Sequence, residues 1–286
     1  MTLARVLPLL LLALVPFVQK RVDASRGAFG GGDETLYLWS GAQVRRLAPG
    51  LQGLLADVYW LRTVQYYGSQ KAFEGGSAYP LLAPLIDITV TLDPRMEIAY
   101  RYGAIFLSER PPHGAGRPED GIALLERGTA AQPENWRLRQ DLGFYTFLFL
   151  HDARKASQIL EEAAELPGAP VWLRTLAADV VFRGGDRATS RRMWQELQAQ
   201  AEDVAMRNNA WAQLAVLDAL DEADRLRVLV QKFAERTGRR PASLGELVTA
   251  GLLSRPPVDI FKVPFAYDPD TGEVAIGPSS PLQRPR

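Results

Sequence analysis

Two histidines, no cysteine and acids scattered along apolar stretches are the material for any chemistry in this 286-residue chain. The lack of cysteine removes disulfides, zinc–thiolate sites and thiol nucleophiles. His113 and His151 stand in separate turn-rich stretches without metal-ligand spacing, and a general base needs a defined partner and a pocket. Asp221-Glu222-Ala223-Asp224 spells a helicase box, but no Gly-x-x-x-x-Gly-Lys loop is present to cradle phosphate, so these read as helix-surface acids. Gly75-Gly76-Ser77 lacks the following glycine of a nucleophile elbow and reads as a turn. Asp268, Asp270 and Glu273 offer oxygen ligands for calcium. Gly272 comes one position early for that loop and no closing glutamate follows, so a hairpin turn is expected. Asp57, between Leu55 and Val58, is expected to pair with Arg62 or Arg101 rather than act as an acid catalyst.

These residues predict no catalytic site, no metal and no cofactor. A carboxylate-dependent hydrolase would need paired acids in a closed pocket. The aromatic group Tyr59, Trp60, Tyr66, Tyr67, Tyr100 and Tyr102 has two readings: core between helices, or anchors along a recognition groove. The 33 basic and 33 acidic residues cancel, which gives no steering toward nucleic acid.

Runs of helical periodicity must position whatever binds. From about Gly50, Leu54, Val58, Leu61 and Val64 define one apolar face, with Gly68 as its C-terminal stop. Pro80 to Asp93 fits a helix or a strand. Helical neighbours select the helix, with both prolines near its start, where a missing N–H costs little. Ala99, Tyr102 and Phe106 form the next face, followed by a Pro- and Gly-rich loop from Ser108 to Arg117. Pro118 opens a helix with Ile122, Leu125 and Ala131 that ends before Pro133. Trp136, Leu138, Leu142, Tyr145 and Phe149 then pair, across His151-Asp152, with Ala153, Ala156, Leu160 and Ala163. Trp172 to Phe182 pairs with Asp186 to Gln200 across Gly184-Gly185, and a long stretch runs from about Val204 to Thr237, with or without a break near Asp221. Gly103, Gly143, Ala156 and Ala163 are the small residues that let paired helices approach.

The stretch Trp136, Leu142-Gly143, Ala156, Leu160, Ala163 and Pro167 resembles a tetratricopeptide repeat. An early aromatic, a Leu-Gly pair, an alanine, a bulky residue, a second alanine and a closing proline follow in the family's order. Ala56-Asp57-Val58-Tyr59-Trp60-Leu61-Arg62 and Gln65-Tyr66-Tyr67-Gly68 look like a group of membrane-anchored bacterial tetratricopeptide proteins. The resemblance covers about residues 55 to 220. It implies an all-α solenoid of three to four helix pairs that binds other proteins. In the register around Leu142-Gly143 it places Arg137, Gln140, Phe144 and Phe147 on the partner-binding groove, and the register around Tyr102-Gly103 adds Glu97 and Tyr100.

Both ends differ from this middle. Val6 to Val18 is an uncharged run between Arg5 and Lys20-Arg21, shorter than the ~20 apolar residues of a full span. An uncleaved signal anchor is the first reading, with a cleaved signal peptide and a buried helix as alternatives. At the other end, Gly238-Arg239-Arg240-Pro241, a short capped helix within Ser243 to Leu253, Pro257-Val258-Asp259 and Pro264-Phe265-Ala266-Tyr267 resemble the C-terminal region of type II secretion pseudopilins. Ile260-Phe261-Lys262 replaces that family's aromatic-glycine turn, and a β-hairpin is expected to turn at Asp268 to Gly272. The expected organisation is an anchor or signal peptide at 1–24, a linker at 25–50, tetratricopeptide-like repeats at 51–220 and a C-terminal helix and β-hairpin module at 221–286. The expected function is a membrane-tethered protein–protein interaction scaffold of a bacterial envelope. Its anchor would lie in the inner membrane and its folded part in the periplasm, with envelope or secretion proteins as partners. An accessory role in a secretion or type IV pilus system is the alternative.

Overall fold

The structure, a computed structural model, describes residues 40–72 and 79–283. The apolar run Val6 to Val18 and the Gly75-Gly76-Ser77 turn lie outside these residues. The described part from Gly41 onward is all-α but for one small hairpin. Its helices are α1 (Gly41–Leu47), α2 (Gln52–Ala72), α3 (Leu82–Leu92), α4 (Glu97–Ser108), α5 (Pro118–Ala131), α6 (Trp136–Leu150), α7 (Ala153–Ala164), α8 (Trp172–Arg183), α9 (Arg187–Gln200), α10 (Val204–Thr237) and α11 (Gly245–Thr249). Strands β1 (Ala266–Tyr267) and β2 (Val274–Ala275) pair antiparallel. Among the described residues, no helix is long and apolar enough to cross a membrane.

Local chemistry sets these boundaries. Asn135, Asp152, Asp186 and Asp203 each accept a backbone N–H of the first turn that follows, capping α6, α7, α9 and α10. Pro118 opens α5, where its missing N–H costs nothing. Gly238 ends α10 at φ 72°, a left-handed conformation that glycine adopts without steric cost. Packing follows chain order: α2 lies on α3, α4 on α5, and α6 through α10 each on the next, while α1 also reaches α3 and α4 reaches α6. Small residues allow the close approaches. A Cβ added at Gly143 would sit 2.8 Å from Leu160 Cγ, and one at Gly103 would sit 2.9 Å from Leu124.

Several expectations are corrected here. Residues 41–47, placed in the linker, form α1, whose Gly41 packs on Thr91 of α3 and whose Val44 is buried. α2 does not stop at Gly68 but continues to Ala72. The apolar face assigned to α2 is its outer one. Ala56 and Thr63 are fully buried, whereas Leu54, Val58, Leu61 and Val64 are exposed. Trp60, Tyr66 and Tyr67 supply the inward bulk against the first core, which is centred on Tyr79, Leu82, Ile86, Tyr100 and Leu125. α10 runs unbroken through Asp221, having neither glycine nor proline in its 34 residues, so no boundary falls at 220. Within Ser243 to Leu253 only five residues are helical, with no side-chain cap.

Candidate functional site

The first helices of two successive pairs, α4 and α6, are tied side by side through Arg101. Its Nε donates to Asp141 Oδ2 at 2.6 Å, and its Nη1 donates to Glu97 Oε1 at 3.4 Å. Glu97 also accepts from Asn135 Nδ2 at 2.8 Å, so the residue that caps α6 is held by α4. The link is partly buried. The hydrogen bond from Arg101 to Asp141 raises the arginine's pKa. Asp141's own pKa also lies above the ordinary carboxylate value, because its desolvation outweighs the help from Arg101.

Apolar side chains flank this link on its solvent side. Ile98, Tyr102 and Ile105 of α4 stand three residues before, one after and four after Arg101, and all are exposed. On α6, Phe144 and Leu148 stand three and seven residues after Asp141 and are exposed as well. Arg137, one turn before Asp141, is exposed and lies with its guanidinium 4.5 Å from the centre of the Trp136 ring. Arg137 also borders an open depression of about 770 Å³, lined by Arg95, residues 131–137, Pro167 and Gly168.

Of the six residues expected in the groove, the structure places Arg137 and Phe144 on this surface, with Gln140 and Glu97 half-buried at its edge. Tyr100 is not on it. It is fully buried in the first core, its ring against the position of Gly128, and its hydroxyl has no hydrogen-bond partner among the described residues. Phe147 is half-buried and packs against the second core, to which Leu160 belongs. Both were assigned by register alone, and α4 packs the face that carries Ala99, Tyr100 and Gly103. Sequence reasoning missed Ile98, Ile105 and Leu148. It also grouped Tyr102 with Ala99 and Phe106 on one face, whereas Ala99 is buried and Tyr102 is exposed. The signal was available in the 98–102–105 spacing, a second apolar stripe on a helix that already had one.

The other candidate groups resolve into structure. Tyr67 donates to the backbone carbonyl of His113, and His151 ends α6 in a left-handed conformation at φ 54°. Arg187 and Arg191 of α9 pair with Asp218, Asp221 and Asp224 of α10, so two of the helicase-like acids join an interhelical ladder, while Glu222 pairs with Arg225 on its own helix. Asp268 accepts from the Thr271 hydroxyl and the Asp270 N–H, which hold its pKa below the ordinary value and close the hairpin turn. Arg101 is committed to Asp141 and Glu97, and Arg62 lies over the Tyr59 ring, so neither expected partner meets Asp57. A cleft between α7, α8 and α9 collects Glu161, Glu165 and Glu196, and burial raises the pKa of Glu161, with Glu196 adding to the shift. At about 230 Å³ it is smaller than ordinary ligand clefts, and Arg174 already holds Glu165 at 2.7 Å. Among the described residues, no group of three histidines or acids is arranged to hold a metal ion. No protein-family model, curated protein or solved structure matches the chain.

Proposed function

We propose that this chain is a tetratricopeptide-like interaction scaffold, tethered by its N-terminal apolar run to a bacterial inner membrane. In this reading the surface along α4 and α6 captures a protein partner from the envelope. The observation that carries it is the exposed set Ile98, Tyr102, Ile105, Phe144 and Leu148 around a fixed Arg101–Asp141 link. Large apolar and aromatic side chains kept in solvent beside an arginine are the usual anchors of protein interfaces. The sequential packing of α4 to α9 as helix pairs supports the repeat architecture, and the close approaches at Gly103 and Gly143 are those expected where paired helices meet at small residues. Arg137, stacked on Trp136 at the lip of the depression, would set the orientation of an acidic or carboxylate-bearing segment.

The test is crosslinking of tagged full-length protein in cells, followed by recovery from membranes and mass spectrometry. The triple variant Tyr102→Ser, Phe144→Ser, Arg137→Glu changes only exposed side chains. It should lose a recurrent partner while its circular dichroism stays that of the parent. Retention of the same partner by this variant would reject the α4–α6 surface.

A further inference from the structure

The outer side of α2 carries a second apolar surface, separate from the one above. Leu51, the residue just before the helix, and Leu54, Val58 and Leu61 within it follow one another at spacings of three and four, and the three leucines keep more than half of their surface in solvent. In coiled-coil notation, Leu51 and Val58 take position a, and Leu54 and Leu61 take position d. The f positions, Ala56 and Thr63, then point directly away from this seam, and both are fully buried against the chain's own core. The helix therefore has its inner face filled and a dimer-type seam facing out. A β-branched residue at a with leucine at d is the combination that favours two parallel strands.

The charges select the occupant. Asp57 falls at position g and Arg62 at the following e, the two places that face each other across a parallel two-stranded seam. Both are exposed, and neither makes an ion pair among the described residues. A second copy of α2, laid parallel, supplies both missing partners at once: Asp57 meets Arg62 of the partner subunit, and the reverse pair follows from the two-fold axis. A lipid surface would instead leave Asp57 unpaired against apolar and anionic groups. Gln65 occupies the next a position, and Gly68 the next d, so the apolar seam is short and its register is set by one polar residue. In this arrangement both helices start at the same end of the pair, which agrees with the tethering proposed above but does not rest on it.

We infer that α2 is a homodimerisation helix, pairing in parallel through Leu51, Leu54, Val58 and Leu61 with reciprocal Asp57–Arg62 ion pairs. The inference is independent of the partner-capture reading, because the two surfaces use different residues. A dimer without a captured partner, or a captured partner on a monomer, would separate them.

The full-length chain in mild detergent is the material, with mass read by light scattering across a dilution series. Asp57→Arg and Arg62→Asp should each weaken dimerisation about tenfold, by turning two attractive contacts into two repulsive ones. The combined swap should return dimerisation to within about threefold of the parent. Because the chain has no other cysteine, Val58→Cys should form an interchain disulfide under mild oxidation, and the exposed Ala199→Cys should not. A chain that stays monomeric, a swap that fails to rescue, or equal crosslinking at the two cysteines would overturn the proposal. So would a Leu54→Asp, Leu61→Asp variant that loses binding to anionic vesicles while its mass is unchanged, since a membrane would then cover this face.

Discussion

Arg101 holds two carboxylates, and the burial of one of them gives the residue its leverage. The Asp141 side chain keeps only 17% of its surface in solvent. Its raised pKa reports a carboxylate whose desolvation is only partly compensated by Arg101. Arg101→Ala would leave that charge stranded, at a cost of about 2 kcal/mol at neutral pH. The pH dependence has a definite sign. A carboxyl with a folded pKa above its unfolded value binds its proton more tightly when folded, so the folded state gains as pH falls through that raised value. Loss of Arg101 raises the value further. The deficit in thermal stability should therefore be greatest near neutrality and shrink as pH falls toward the ordinary carboxylate range. A deficit that stays constant over that interval would show that Asp141 is not the group involved. The sequence alone could not reveal this pair. It showed Arg101 as an arginine within reach of Asp57, but the true partner lies 40 residues on, in the next helix pair.

At the level of elements, the fit of α6 against α7 rests on a missing side chain. Gly143→Ala would place a methyl group 2.8 Å from Leu160 Cγ and 3.2 Å from the Ala156 carbonyl oxygen, with Leu160 fully buried. Overpacking of that kind costs about 1–3 kcal/mol, against a helix-propensity gain of about 1. A net loss of about 1 kcal/mol is expected in denaturant unfolding. Gly53→Ala on α2 meets open space and should leave stability level or raise it by ~0.5 kcal/mol. Equal effects at the two glycines would reject the close approach of α6 and α7. Helix boundaries were legible in the sequence wherever a capping Asp or Asn, a Pro or a Gly marked them, as at Asp152, Pro118 and Gly238. The inward face of α2 was not. That helix carries two apolar stripes, and periodicity cannot say which faces in. Small side chains at Ala56 and Thr63 settle it by letting the backbone approach its neighbour.

For the molecule as a whole, the C-terminal module is part of the fold and not an appendage. Phe265, Val274 and Leu282 share one core with Ala223, Leu226, Val230 and Phe233 of α10. Arg227 donates to the Val274 carbonyl at 2.7 Å and pairs with Glu273 at 3.0 Å, while Tyr267 donates to the Pro241 carbonyl at 2.9 Å. Removal of residues 238–286 would bare that face of α10 and should lower the melting temperature by roughly 10 °C, with aggregation on heating. An unchanged melting temperature would mean that the tail is held for a partner, as a secretion or pilus accessory would require. The sequence indicated the hairpin through its Asp-Pro-Asp-Thr-Gly turn, but a domain boundary was expected inside α10, at a break near Asp221, where the structure has none. That continuous helix has a further consequence. Ala210 and Leu217 belong to the second core, and Leu226 and Phe233 to the third. One rod about 50 Å long thus passes through both. Amide protons in its two halves, inside the fraying end turns, are expected to exchange with solvent through a single shared opening, so the last helix pair and the tail form one cooperative unit that opens and closes together.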